Sequence, residues 1–140
     1  MKSSLLRWLP VIAWAALIFS LSAVPEPLDA VPSQFSLALQ NMRFFGIGMI
    51  ALLSFIIHFF LYLMLGFLAT RAFVGDQVLY YKPFLIAFTV SSLYALSDEF
   101  HQIFVQGRGF EFIDLLADGL GILAGLFFFS KWHAREKAHS

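Results

Sequence analysis

Long apolar runs separated by short polar segments dominate the chain. Four runs reach the length of a helix that crosses a bilayer, about 20 residues. They cover residues 5–24, 46–72, 83–105 and 112–130. Pro25 and Pro27 follow the first run, and proline cannot continue a helix without losing a hydrogen bond. Pro83 opens the third, in the first turn, where its missing N–H costs nothing. No repeat or low-complexity linker divides the chain, so residues 1–140 are read as one domain. The pattern predicts an all-α fold, an integral membrane four-helix bundle. The first run has the flanks of a signal peptide, with Lys2 and Arg7 before it and Leu21-Ser22-Ala23 at its end. Its length is that of a full span, however, and it is read as a helix of the bundle.

The polar positions that interrupt this frame are concentrated. Residues 97–125 hold Asp98, Glu99, His101, Arg108, Glu111, Asp114 and Asp118. A charge at the centre of a membrane helix costs roughly 2.5 kcal/mol or more, so buried acids there need a partner, a proton, a metal or water. Residues three or four apart share a helix face. His58, Tyr62 and Gly66 then form one stripe, Ser92, Glu99, Gln102 and Gln106 a second, and Asp114, Asp118, Gly121 and Gly125 a third. Gly121 and Gly125 form a small-xxx-small pair that lets a neighbouring backbone approach closely. His58 and Tyr62 suit interhelical hydrogen bonding as well as a site role. Asp98 and His101 fall off the Glu99 face and are read as interfacial. Gly107-Arg108-Gly109 makes a short turn between the last two helices, where glycine permits a tight backbone. Arg108 either pairs with Glu99 or Asp114 or presents its planar fork to a phosphate or carboxylate.

Composition and charge then narrow the class. The chain is 60% hydrophobic and 13% charged, against about 25% charged for a typical soluble domain. This identifies a polytopic membrane protein. The absence of cysteine excludes disulfides and thiolate chemistry. A formal net charge of zero supplies no field that would draw the chain to nucleic acid. Lys2, Arg7, Arg71, Lys82, Lys131, Arg135 and Lys137 would lie on one side of the membrane, and only Arg43 and Arg108 on the other. The positive-inside rule therefore places both termini in the cytoplasm. The loop 25–45 becomes the longest external one, and its part 36–45 is suited to a short interfacial helix.

The ordered set of motifs carries a family resemblance. Ser20 and Ser22 before Pro25, His58-Phe59-x-x-Tyr62-x-x-x-Gly66, Asp98-Glu99-x-x-Gln102, Gly107-Arg108 and Asp114-x-x-x-Asp118-x-x-Gly121 together resemble the VanZ-like family of small bacterial membrane proteins. The resemblance spans nearly the whole chain. Members often carry Pro where Gln106 stands, and often Asn where Asp118 stands. The family is named for a protein linked to low-level resistance to the glycopeptide teicoplanin. The resemblance implies a multi-pass protein of the bacterial inner membrane with a role in the cell envelope. It does not imply one reaction.

Three functional readings follow. In the first the chain is an enzyme acting on a lipid or a lipid-linked envelope precursor at the outer leaflet. Glu99, Asp114, Asp118 and His58 supply acid–base groups, since burial and like charge separate carboxylate pKa values. Arg108, Gln102, Tyr62 and Ser22 contact the substrate. A divalent metal held by Glu99, Asp114, Asp118 and His58 is a variant of this reading, although the spacing matches no metal motif. In the second reading the cavity binds a lipid, or the acyl tail of a lipoglycopeptide, without chemistry. In the third the polar residues clamp the helices and a partner protein carries the function. Self-association fits all three. Glu99, Asp114 and Asp118 are expected to face one polar cavity with Arg108 at its mouth.

Overall fold

The computed structural model describes residues 2–25, 41–44, 47–75 and 81–138. Among these residues four long helices form: α1 (Lys2–Ser22), α2 (Met49–Val74), α3 (Tyr81–Gln102) and α4 (Phe112–Ala138). A minimal antiparallel hairpin precedes α2, with β1 (Arg43–Phe44) against β2 (Ile47–Gly48). The all-α bundle expected from the hydropathy pattern is the fold observed.

Three of the helices, α1 from Leu5, α2 and α4, are long and apolar enough to cross a membrane. α3 matches them in length but is less apolar, because its last turns carry Asp98, Glu99, His101 and Gln102. Asp98, Glu99 and Gln102 are turned into the bundle and buried. Outward faces carry large apolar side chains, among them Leu9, Ile12, Phe60, Leu85, Leu123 and Phe128. Apolar surface on this scale would be a liability in water and suits contact with lipid.

The helix ends differ from the hydropathy boundaries for local reasons. α3 stops at Gln102, because i→i+3 bonds from Phe104 N to His101 O and from Val105 N to Gln102 O, each 3.0 Å, tighten the chain into a turn. Gly107 completes that turn at φ 78°, a left-handed conformation open to glycine. Gln106 therefore leaves the Glu99 stripe and is exposed in the turn. α4 runs on past residue 130 to Ala138, with Arg135 and Lys137 in its last turn, where positive charge complements the helix dipole. The interfacial helix expected over 36–45 falls mostly outside the described residues. At its described end Arg43 and Phe44 are strand, because they pair with Gly48 and Ile47.

Small residues set the tightest contact. A β-carbon on Gly66 of α2 would lie 2.7 Å from the carbonyl oxygen of Ile122 on α4. One on Gly121 would strike the carbonyl of Phe59, and one on Gly125 that of Leu63. α2 and α4 thus meet backbone to backbone. Ile18, Tyr62, Leu65, Ala95 and Ile122 fill the core between the four helices. α1 is held at the periphery by Trp14 Nε1 donating to Leu61 O (2.8 Å) and by Tyr94 OH donating to Ala15 O (2.6 Å).

Candidate functional site

The C-terminal ends of α1 and α3 and the N-terminal ends of α2 and α4 come together, and the polar residues collect there. On α2, Ser54, His58 and Tyr62 follow one another at four-residue intervals and point toward the acids of α3 and α4. Ser54 Oγ donates to Asp114 Oδ2 at 2.9 Å. His58 Nδ1 lies 2.9 Å from Asp118 Oδ1, and its Nε2 lies 3.7 Å from Asp114 Oδ2. Tyr62 OH donates to Asp98 Oδ2 at 3.2 Å. Glu99 Oε2 accepts from the backbone N–H of Glu111 at 2.9 Å, which ties the end of α3 to the start of α4.

Four carboxylates are thereby buried in one place. Glu99 and Asp118 are fully enclosed, and Asp98 and Asp114 are each 4% exposed. Each has one oxygen bonded as above and one buried oxygen with no hydrogen-bond partner among the described residues: Asp98 Oδ1, Glu99 Oε1, Asp114 Oδ1 and Asp118 Oδ2. Buried charge left uncompensated is strongly destabilising. The only basic side chain in ion-pair reach of these acids, among the described residues, is His58.

A cavity of about 580 Å³ opens beside this cluster. Its apolar wall includes Ile18, Leu21, Leu53, Ile57 and Leu61, and its polar end Ser22, His58, Tyr62, Asp98, Gln102, Arg108 and Asp114. Arg108 is half-buried, and its Nε has no hydrogen-bond partner among the described residues. Of the two sequence readings of Arg108, the ion pair with Glu99 or Asp114 is not formed among the described residues. Ser54 and the Glu111 backbone each hold one oxygen of those acids, and the other oxygen has no partner among the described residues.

The residues singled out from sequence divide into two layers. Ser22, His58, Tyr62, Gln102, Arg108 and Asp114 line the cavity. Glu99 and Asp118 do not, contrary to the expectation that three acids would face it. Asp118 lies one helical turn beyond Asp114 and bonds the ring of His58, and Glu99 is drawn aside by the Glu111 N–H. Asp98, read as an interfacial acid, is buried and lines the cavity. Consecutive residues stand about 100 degrees apart, and α3 has neighbours over an arc wide enough to enclose both Asp98 and Glu99. His101 turns away from Glu99 as expected, toward α1. There its Nδ1 is 3.5 Å from Ser22 Oγ and its ring lies against Phe19, with centroids 4.6 Å apart. Ser54 was missed, although it sits four residues before His58 on the same stripe.

The family model described as VanZ/LLP1 matches residues 7–133, a stretch that covers α2 and α3 and most of α1 and α4. Comparisons with curated proteins and with solved structures give no match.

Proposed function

The chain belongs to the VanZ/LLP1 family, and from that premise we propose that it takes the head group of a membrane lipid or lipid-linked cell-envelope precursor into the cavity and acts on it by acid–base chemistry. The observation that carries this reading is Arg108. Its guanidinium stands half-buried on the wall of an amphiphilic cavity, without an acid to neutralise it among the described residues. A planar fork so placed matches a phosphate or carboxylate. Ile57, Leu61 and Leu21 offer an apolar wall for the tail. The bond between Asp118 and His58 Nδ1 orients the ring so that Nε2 faces Asp114 and the cavity. A ring nitrogen held by a carboxylate is the arrangement of a general base. That bond favours chemistry over binding alone.

In the membrane, the distribution of Lys and Arg supports a protein that crosses the bacterial inner membrane several times with both termini cytoplasmic. The cavity then faces the outer leaflet. A link to glycopeptide resistance has its support in what the family is named for.

The test uses photoactivatable lipid probes on the protein in nanodiscs. A probe with a phosphate head should label Leu21, Ile57 and Leu61, and a neutral diacylglycerol probe should label them weakly. Arg108→Ala should lower the phosphate labelling about tenfold, in line with roughly 1.5–3 kcal/mol for a charged hydrogen bond. Equal labelling by both probes, or full labelling of the Arg108→Ala protein, ends the reading.

A further inference from the structure

We propose that His58, Glu99 and Asp114 hold one divalent first-row transition ion, Zn2+ or Mn2+, at the polar end of the cavity. One donor atom from each of the three lies within 4.8 Å of the others, and all three residues are buried. The second observation is the state of their free atoms. Glu99 Oε1 and Asp114 Oδ1 are buried carboxylate oxygens with no partner among the described residues. A proton on either oxygen makes a buried donor that then needs an acceptor of its own, whereas a cation satisfies both directly.

The supporting contacts have the pattern of a metal site's surroundings. A ligating histidine commonly donates its other ring N–H to a carboxylate, and ligating carboxylates are themselves hydrogen-bonded. Here His58 Nδ1 is bonded to Asp118 Oδ1, Ser54 Oγ donates to Asp114 Oδ2, and the Glu111 N–H donates to Glu99 Oε2. Each of the three proposed ligands is thus anchored through one atom and keeps another. Asp118 belongs to the support and not to the ligand set. The imidazole decides the class of ion: Mg2+ and Ca2+ favour all-oxygen shells, while one nitrogen with two carboxylates suits Zn2+ or Mn2+. Three protein ligands leave coordination positions open, as catalytic zinc sites do. His58 and Asp114 both line the cavity, so those positions face the place where a head group would lie. An ion there would take the lone pair of His58 Nε2, so His58 would serve as a ligand in place of a general base; the site stands apart from the lipid reading, because metal binding is measured with no lipid probe present.

The experiment is isothermal titration of ZnCl2 and MnCl2 into the full chain, purified in detergent and stripped with EDTA. One ion per chain is expected, with micromolar or tighter affinity. Asp114→Asn and Glu99→Gln should abolish binding. Asp118→Asn should weaken it about 10- to 100-fold, the usual effect of losing a supporting partner. Asp98→Asn should leave it within about threefold of the parent. Loss in Asp98→Asn equal to that in Asp114→Asn reveals a diffuse acidic patch and overturns the site, as does failure of both ions to bind. X-ray absorption on the zinc-loaded parent needs no variant. One nitrogen at about 2.0–2.1 Å beside oxygen ligands supports the site, and an all-oxygen shell overturns it. Metal binding without lipid labelling keeps this site and ends the lipid reading, and the reverse result does the opposite.

Discussion

Glu99 makes its one hydrogen bond to a main-chain donor, the N–H of Glu111, across the turn that joins α3 to α4. Glutamine can accept the same bond through its amide oxygen, and alanine cannot. Glu99→Gln should therefore keep more stability in denaturant than Glu99→Ala. Glu99→Ala should lose about 1–3 kcal/mol, the cost of a buried donor left unsatisfied. Equal losses in the two variants would show that the negative charge itself supports the fold. At Arg108 the comparison runs the other way. Arg108→Lys keeps the charge but loses the fork, so phosphate-probe labelling should fall nearly as far as in Arg108→Ala. Labelling at the parental level in the lysine variant would mean that the arginine acts as a point charge. What could be read from sequence at this scale followed helical spacing. His58, Tyr62, Asp114 and Asp118 were visible as stripes, and Ser54 would have been with one more turn. Asp98 was not, because one inward stripe per helix is too narrow for a helix enclosed on several sides. The Glu111 N–H leaves no trace in a side-chain pattern.

Between elements, the glycines of α4 separate two kinds of position. Gly121 faces the backbone of Phe59 and Leu63, while a β-carbon on Gly119 would meet nothing within 4 Å. Gly121→Ala should therefore force α2 and α4 apart and cost roughly 1–3 kcal/mol, the range for overpacking. Gly119→Ala should be neutral or gain up to about 1 kcal/mol from helix propensity. Thermal unfolding in bicelles compares the two, and similar melting temperatures would contradict the backbone contact. The contact was legible, because small residues four apart announce it. Helix ends were less so. The exit of Gln106 from the α3 stripe depends on the i→i+3 bonds after His101, and apolar residues such as Phe104 and Val105 hide that stop in a hydropathy profile.

For the whole molecule, orientation is the first prediction to check. The chain has no cysteine, so Ser3→Cys and His139→Cys each provide a single thiol. Both should resist impermeant thiol reagents in intact cells and react once the membrane is opened. Labelling of either from outside would invert the topology and move the cavity to the cytoplasmic leaflet. The bundle is also mechanically uneven. α2 and α4 meet backbone to backbone at three glycines, Gly66, Gly121 and Gly125. In the middle of the bundle, the hydrogen bonds between α1 and its neighbours end on main-chain carbonyls: Trp14 donates to Leu61 O, and Tyr94 donates to Ala15 O. Yet α1 contributes Ile18, Leu21 and Ser22 to the cavity wall. If a guest enters the cavity from the bilayer, the close α2–α4 contact makes α1 the wall expected to move. Spin labels across α1 and α2 should show a broad distance distribution that narrows when a guest is held. A pair across α2 and α4 should stay narrow throughout, and equally narrow distributions for both pairs in the empty protein would show that α1 is no more compliant than the glycine contact.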